Sequence, residues 1–441
     1  MALMSGDTIF APATAPGRAA LAIVRLSGPQ VRFALETLAG SVPEARRASL
    51  RAIRSGPSGD LIDRGIVLFF PAPASQTGED CAEFQVHGGR AVVAALVKAL
   101  GDLPGLRAAE PGEFAQRALL NGRMDLLDLE ALADLIDSET EFQRQQATGS
   151  GLLLREVAER WRQSLLDIRA DLEAAIDFSD EDDVARGFVS GVNGLLEALI
   201  EDMRRVLSTA ARGERMRDGY RVALMGEPNS GKSSLLNVLA GRDVAIVSDK
   251  AGTTRDRIDV FLDLGGFPVV VSDTAGVRES SDEIEREGIR RSFVAASEAD
   301  LILWLHARDG GSLVLPETIG PAVRIVETKG DLANDCSVRA DIWATTSVLD
   351  RGSIDRLIEK MTAEIARIGR LGEPALITRE RQRHGVAMAL TALRCALSDG
   401  GEPELCAESV RRASVALERL LGRLDVEDVL GAIFSRFCIG K

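Results

Sequence analysis

Cysteine is scarce: five in 441 residues (Cys81, Cys336, Cys395, Cys406 and Cys438), an odd number with no C-x-x-C pair. That excludes a disulfide framework and a structural zinc site as organising features, and it fits a reducing cytoplasm. Long hydrophobic runs are missing too; none approaches the ~20 apolar residues of a membrane helix. Met1-Ala-Leu-Met-Ser-Gly-Asp7 has no basic stretch ahead of an apolar one, so no secretion signal is expected. Positive charge is in deficit, 53 Lys and Arg against 67 Asp and Glu, for a formal net charge of −14. A protein that coats nucleic acid would be basic, so any RNA partner must be gripped locally or through another subunit. Aromatics contribute only 4%, but 45% hydrophobic and 27% charged residues describe a soluble globular chain. Its length predicts about three domains.

What is present centres on Gly226-Glu-Pro-Asn-Ser-Gly-Lys-Ser233, which fits the phosphate-binding pattern G-x-x-x-x-G-K-[ST]. The apolar run Arg221–Met225 before it reads as a buried strand, and Ser234–Ala240 after it has helical spacing. A glycine loop between strand and helix lets backbone N–H groups wrap a phosphate at the positive end of the helix. Asn229, Ser230, Gly231, Lys232, Ser233 and Ser234 are therefore candidate nucleotide contacts. Lys232 is expected at the β/γ-phosphates and Ser233 at Mg²⁺.

Further nucleotide motifs follow in order. Ser248-Asp-Lys-Ala-Gly-Thr-Thr-Arg255 precedes a hairpin read over Ile258–Leu264 and Pro268–Val271. Thr254 is placed to close over the γ-phosphate and Mg²⁺ as a first switch threonine, with Ser248 and Thr253 on the same loop. In Asp273-Thr274-Ala275-Gly276, Asp273 would hold Mg²⁺ through water and Gly276 would sense the γ-phosphate. Strands are read at Leu301–Leu305 and Val323–Glu327, the second leading into Thr328-Lys329-Gly-Asp331. A carboxylate there accepts two hydrogen bonds from guanine N1 and N2, which adenine cannot supply, so Asp331 selects GTP over ATP.

This pattern departs from the usual one at three places. The base loop normally opens with Asn, and Thr328 predicts a weaker loop or guanine contact without a change of nucleotide. The last base element, usually Ser-Ala, falls near Ala344-Thr345-Thr346. The residue after Gly276 is Val277, which cannot orient the attacking water as the glutamine of Ras-like enzymes does. Asn229 together with the long loop Ser248–Thr253 suggests a monovalent cation in place of an arginine finger, and Asp282-Glu-Ile-Glu285 offers carboxylates for the water.

Elsewhere the periodicity gives structure without chemistry. Residues 1–120 read as α+β, with strands at Leu21–Leu26, Ile66–Phe70 and Ala82–His87 and a helix at Ala91–Leu100. Arg25, Glu83 and His87 are their polar residues of interest. Residues 121–213 carry helical stripes, among them Leu154, Val157, Trp161, Leu165, Ile168 and Leu172. The acidic run Asp177–Asp183 lacks the spacing of a calcium loop and reads as a solvated connection. After a nucleotide domain over 214–373, helical stripes return in 374–441: Val386, Leu390, Leu393 and Leu397, then Val410, Leu417, Leu420 and Leu424. Like texture on both sides suggests a nucleotide domain inserted into one helical domain. Arg379, Arg381 and Arg383 read as a solvated basic face, with RNA contact as the alternative. Cys438 sits four from the end, but Gly440-Lys441 fits a prenylation box poorly.

With the tail in view, the chain resembles the MnmE (TrmE) family of tRNA modification GTPases over essentially its whole length. The likeness rests on Asp7-Thr-Ile-Phe10, Pro16-Gly-Arg18, Thr77-Gly-Glu-Asp80 with His87-Gly-Gly89, Pro111-Gly-Glu-Phe114, the GTPase motifs and Cys438-Ile-Gly-Lys441. Era- or Der-like GTPases share the nucleotide motifs but lack the N-terminal blocks and the tail. The resemblance implies a multidomain α/β and α fold: an N-terminal α+β domain similar to tetrahydrofolate-binding domains, an all-α helical domain and an inserted Ras-like P-loop G domain. It implies a cytoplasmic homodimer formed through the N-terminal domain, with a one-carbon folate (5,10-methylene or 5-formyl tetrahydrofolate) held by Arg25, Glu83, Arg123 and Lys441. The family pattern has lysine at Arg123 and glycines at Ala19-Ala20.

In the G domain the resemblance implies K⁺ at Asn229, Ser248, Lys250 and Thr253, ordering that loop when two G domains meet, with Glu285 orienting the water. Lys232 and Thr254 complete the catalytic set, and Ser233 and Thr254 the Mg²⁺ ligands. It further implies an FAD-dependent partner, MnmG, with which an aminomethyl or carboxymethylaminomethyl group is added at C5 of the wobble uridine of tRNAs. For Cys438 it leaves open a nucleophile and a structural neighbour of the folate. The competing reading is a regulatory or ribosome-assembly GTPase switch, which needs neither the N-terminal blocks nor the tail.

Overall fold

The computed structural model describes residues 6–56, 59–177, 182–246, 259–273, 297–310, 322–332, 341–369, 375–398, 402–424 and 440. The chain divides into two compact units, residues 1–133 with 418–441, and residues 134–417.

The first unit contains β1 (Thr8–Pro12), β2 (Ala19–Ser27), α1 (Val31–Ala39), β3 (Ser49–Arg54), β4 (Leu61–Phe70), β5 (Cys81–Gly88), α2 (Arg90–Gly101), β6 (Leu106–Ala108), α3 (Glu113–Leu120) and the start of α4 (Leu126–Ile136). Six strands form one sheet in the order β3-β4-β5-β2-β1-β6, antiparallel except for the β1–β6 pair. Side chains alternate across a strand. Ala22, Val24 and Leu26 of β2 and Ala82, Phe84 and Val86 of β5 therefore join α1 and α2 in the core. Arg25 and Glu83 fall on the other side of those strands, in register with each other.

An ionic network ties the sequence blocks of this unit together. Glu113 accepts both ends of the Arg107 guanidinium, at 2.8 and 2.6 Å, and Arg117 at 3.0 Å. Arg117 also reaches Asp7 at 3.1 Å and Glu79 at 3.1 Å. Burial alone would raise the pKa of Glu113, but Arg107, the Glu110 N–H and Arg117 outweigh it and hold the carboxyl below its ordinary value. Replacing one member of a buried pair leaves the other uncompensated. Glu113→Gln should therefore cost about 3 kcal/mol in a urea melt of the full chain near neutral pH. With its folded pKa below the unfolded ~4.3, the carboxylate contributes fully above that pH and loses its contribution as pH falls through the folded value. The gap between wild type and variant should thus narrow below about pH 4; a gap that is constant down to about pH 3 would contradict the assignment.

The second unit holds α5 (Glu141–Asp177), α6 (Asp182–Ser208), α7 (Ala210–Asp218), β7 (Tyr220–Gly226), α8 (Lys232–Ala240), β8 (Ala245–Ile246), β9 (Asp259–Leu264), β10 (Phe267–Asp273), β11 (Leu301–Ala307), β12 (Ala322–Thr328), β13 (Ile342–Thr345), α9 (Arg351–Gly369), α10 (Glu380–Ser398) and α11 (Pro403–Leu420). Its seven strands run β13-β12-β11-β7-β10-β9-β8, the first five mutually parallel and β9 antiparallel to both neighbours. Near-continuous apolar strands are what a parallel sheet covered by helices requires. Leu301–Ala307 is buried at every position. Leu235, Leu236 and Leu239 of α8 and Ile354, Leu357 and Met361 of α9 pack with Val222, Leu224 and Leu303.

The long helices bury their stripes as the spacing predicts: Leu154, Trp161, Leu165, Ile168 and Leu172 of α5 are all buried. The Trp161 indole N–H donates to Asp202 at 2.7 Å. Helix α10, after the sheet in sequence, packs on α6, before it. Three details differ from the periodicity. Leu424 lies past the end of α11 and is exposed, Leu397 is half-buried because Ala396 takes the inward position, and Val157 is half-buried beside the buried Ala158. The basic face also differs. Arg379 is nearly buried and donates to Asp134 at 2.6 Å, beside Arg217 on the same oxygen at 2.8 Å, while Arg383 pairs with Glu214. Two of the three arginines thus hold the helices together, where like spacing in sequence looked solvated. The middle of the acidic run, residues 178–181, lies outside the described residues.

Candidate functional site

The centre of the site is the turn from β7 into α8. Gly226 has φ +144 and Gly231 φ +90, conformations that suit glycine, and a Cβ at Gly226 would collide with the Leu305 carbonyl of the adjacent strand. Asn229 takes a left-handed φ of 62° at the exposed tip. This curvature leaves the N-terminus of α8, opening at Lys232, pointing into the loop. The Lys232 ammonium is enclosed by the loop and donates to the carbonyls of Gly226 at 3.0 Å and Glu227 at 2.9 Å. Burial pulls its pKa down, and the nearby Asp273 carboxylate partly restores it.

Asp273, at the end of β10, accepts the Ser233 hydroxyl through Oδ2 at 2.7 Å. Its Oδ1 is buried and meets no donor among the described residues. A hydroxyl and an unmatched carboxylate oxygen, facing one another beside a buried ammonium, form a hard oxygen donor set that fits Mg²⁺.

Beyond the loop lies a cleft of about 270 Å³, lined by Gly231, Ser234, Thr328, Lys329, Asp331 and the segment Thr346–Leu349, with Leu235 and Leu332 at its walls. Thr328 is buried, and its hydroxyl donates to the Ser230 carbonyl at 2.7 Å. Where the usual pattern has Asn, the shorter Thr328 side chain thus still ties the base loop to the phosphate loop. Lys329 is fixed by both oxygens of Asp309 at 2.8 Å. The Ser347 hydroxyl donates to Asp331, and the Gly330 N–H donates to the Thr346 carbonyl at 3.0 Å.

Of the expected last base element, Thr346 lines the cleft, whereas Ala344 is buried in the core beneath the sheet and Thr345 points to Glu327. Ser347, Val348 and Leu349 take the place foreseen for them, three residues further along. Ser347 and Asp309 were missed; Ser347, four residues before α9 opens at Arg351, carried the more legible sign. Ser248, Lys250, Thr253, Thr254, Thr274, Ala275, Gly276 and Glu285 lie outside the described residues.

In the first unit, the guanidinium of Arg25 donates to Glu83 at 3.1 and 3.3 Å and to Gln76 at 2.7 Å. Gln76 opens the loop whose Gly78 lies against the stem of Arg123, so one loop spans both cations. Gly440 is seated against Pro12 and Ala13, where any Cβ would strike the Pro12 carbonyl. Pro12 is in register with Val24, one residue from Arg25. Gly440 is thereby brought to the strand beside Arg25; Cys438 and Lys441 lie outside the described residues.

A strand–loop–helix phosphate cradle, a Ser–Asp pair suited to Mg²⁺ and a carboxylate-bearing base cleft on a seven-stranded sheet define a P-loop GTPase. Residues 8–123 match the family described as GTP-binding protein TrmE N-terminus, and residues 126–438 match the MnmE helical domain. The tRNA modification GTPase MnmE of Beijerinckia indica subsp. indica is 48% identical over 438 residues, 99% of this chain and 96% of that one. That of Phenylobacterium zucineum is 49% identical over 449 residues, 99% of this chain and all of the other. Among solved structures, the G domain of the T. maritima FeoB iron transporter is 25% identical over 33% of this chain and 98% of its own, with a TM-score of 0.26. The chain belongs to the MnmE family of tRNA modification GTPases. No helix among the described residues is long and apolar enough to cross a membrane.

Proposed function

We propose that this chain is a K⁺-activated GTPase that acts with an FAD-dependent MnmG partner to add an aminomethyl or carboxymethylaminomethyl group to C5 of the wobble uridine of tRNA. A tetrahydrofolate supplies the one-carbon unit. What supports this reading is the joint presence of a cleft that carries Asp331 and of an Arg25–Glu83 pair whose Arg25 lies on the strand next to the one Gly440 touches, in a chain alike to its relatives over 99% of its length. A GTPase switch alone requires only the first.

In this reading Lys232 neutralises the β/γ-phosphates, the N–H groups at the start of α8 hold their oxygens, and Asp331 accepts guanine N1 and N2. Ser233 and Thr254 would ligate Mg²⁺, with Asp273 accepting from its water; the ion supplies charge neutralisation at the transferred phosphoryl group. Asn229, Ser248, Lys250 and Thr253 would hold K⁺, and Glu285 would orient the water. Arg25, Glu83, Arg123 and Lys441 would bind the folate, and Cys438 would stand beside it. The domain limits fall near 120, 213 and 373, with the G domain inserted between the two helical parts, and the first domain dimerises.

Mass spectrometry of tRNA nucleosides tests the proposal. Cells lacking the protein should lose the C5-aminomethyl class of wobble uridines, and the intact gene should restore it. An unchanged nucleoside profile would leave the ribosome-assembly switch as the better account.

A further inference from the structure

We infer that Thr328 sets how this chain reads the purine: guanine N7 goes unrecognised, so nucleotides with a carbon at that position, the 7-deazaguanine class, are accepted as well as guanine nucleotides. This rests on the assignment of Asp331 to guanine N1 and N2. N7 is a hydrogen-bond acceptor and needs a donor to be read. A threonine hydroxyl has one proton. At Thr328 that proton is committed to the Ser230 carbonyl at 2.7 Å, and a second carbonyl, that of His306, stands 3.4 Å from the same oxygen. The residue is buried between these two acceptors, so turning the hydroxyl towards the cleft would strand a buried carbonyl.

The neighbouring side-chain donors are directed elsewhere. Ser347 donates to Asp331, and the Lys329 ammonium turns two of its three N–H groups to the oxygens of Asp309, a residue outside the lining of the cleft. Ser234 stands in the first turn of α8, on the phosphate side of the cleft. An asparagine at this place differs in kind, because its amide carries two N–H donors. One can hold the Ser230 carbonyl while the other faces the ring. Threonine keeps the tie between the loops and gives up the readout.

Isothermal titration of the full-length chain with GDP, 7-deaza-GDP and ADP tests this without turnover. The wild type should bind GDP and 7-deaza-GDP with affinities that agree within about twofold, since no net hydrogen bond is lost. Thr328→Asn should tighten GDP about two- to tenfold and leave 7-deaza-GDP unchanged. Thr328→Val, which removes the tie but keeps the shape, should weaken both alike. A wild type that binds 7-deaza-GDP about five- to tenfold more weakly than GDP would overturn the inference. ADP binding as tightly as GDP would overturn the guanine assignment of Asp331, and this inference with it.

Discussion

Replacing Asp331 by Asn should lower affinity for GTP by about 10²–10⁴-fold and create affinity for xanthosine triphosphate. A hydrogen bond to a charged acceptor contributes about 1.5–3 kcal/mol net, and guanine offers two such donors, N1–H and the N2 amino group. An asparagine amide keeps one acceptor and turns an N–H towards the other donor. Xanthine carries a carbonyl where guanine carries that amino group, so the amide of Asn suits it. The reversal should be sharp because the loop is already fixed: Ser347 holds Asp331, and Ser353 in turn accepts the Ser347 N–H at 2.9 Å. Fluorescence titration with both nucleotides checks it. Equal loss for the two would mean that Asp331 shapes the loop and does not read the base.

The second large effect is expected on turnover. Glu285→Ala should slow GTP hydrolysis by about 10²–10⁴-fold, the range for a positioned proton-accepting group. Affinity for GTP should stay within about twofold, because in the proposed role the group acts on the water and not on the nucleotide. Val277 explains why the burden falls elsewhere: an apolar side chain after Gly276 has no atom that can accept from the attacking water. Single-turnover rates and equilibrium binding, measured on the same preparation, separate the two quantities. A variant that hydrolyses at the wild-type rate would remove Glu285 from the mechanism.

Asp331 was marked by its own motif, whereas Glu285 was singled out of Asp282–Glu285 by the family resemblance alone; what the residues themselves made legible has a physical reason. The phosphate cradle is local: its glycines, its lysine and the strand and helix on either side all lie within about twenty residues, so pattern alone locates them. The strand Leu301–Ala307 and the stripe from Leu154 to Leu172 were equally legible, since burial on all sides and on one face leave different periods. Ser347 was harder, because a hydroxyl that reaches Asp331 across sixteen residues leaves no periodic trace. Arg379 was misread for the same reason: its partner Asp134 lies 245 residues away, and a buried pair looks solvated until the chain is closed. In the first unit, β3 shows little because it is an edge strand with one buried side chain in six, and β6 is only three residues long. Helix α1 was available, with Val31, Ala34, Leu35 and Leu38 at helical spacing. The Glu113 network links Asp7 and Glu79 from distant blocks through Arg107 and Arg117, so the motif Pro111-Gly-Glu-Phe114 acquires its structural meaning only in three dimensions.

Initial rates of GTP hydrolysis by the full-length protein in KCl and in NaCl at equal ionic strength, with the association state followed by light scattering, test the central claim most directly. Potassium should raise the rate by at least about tenfold, towards the ~10³ or more that an arginine finger supplies elsewhere, and should favour paired G domains when a transition-state mimic is bound. Equal rates in the two salts, with no change in association, would contradict it.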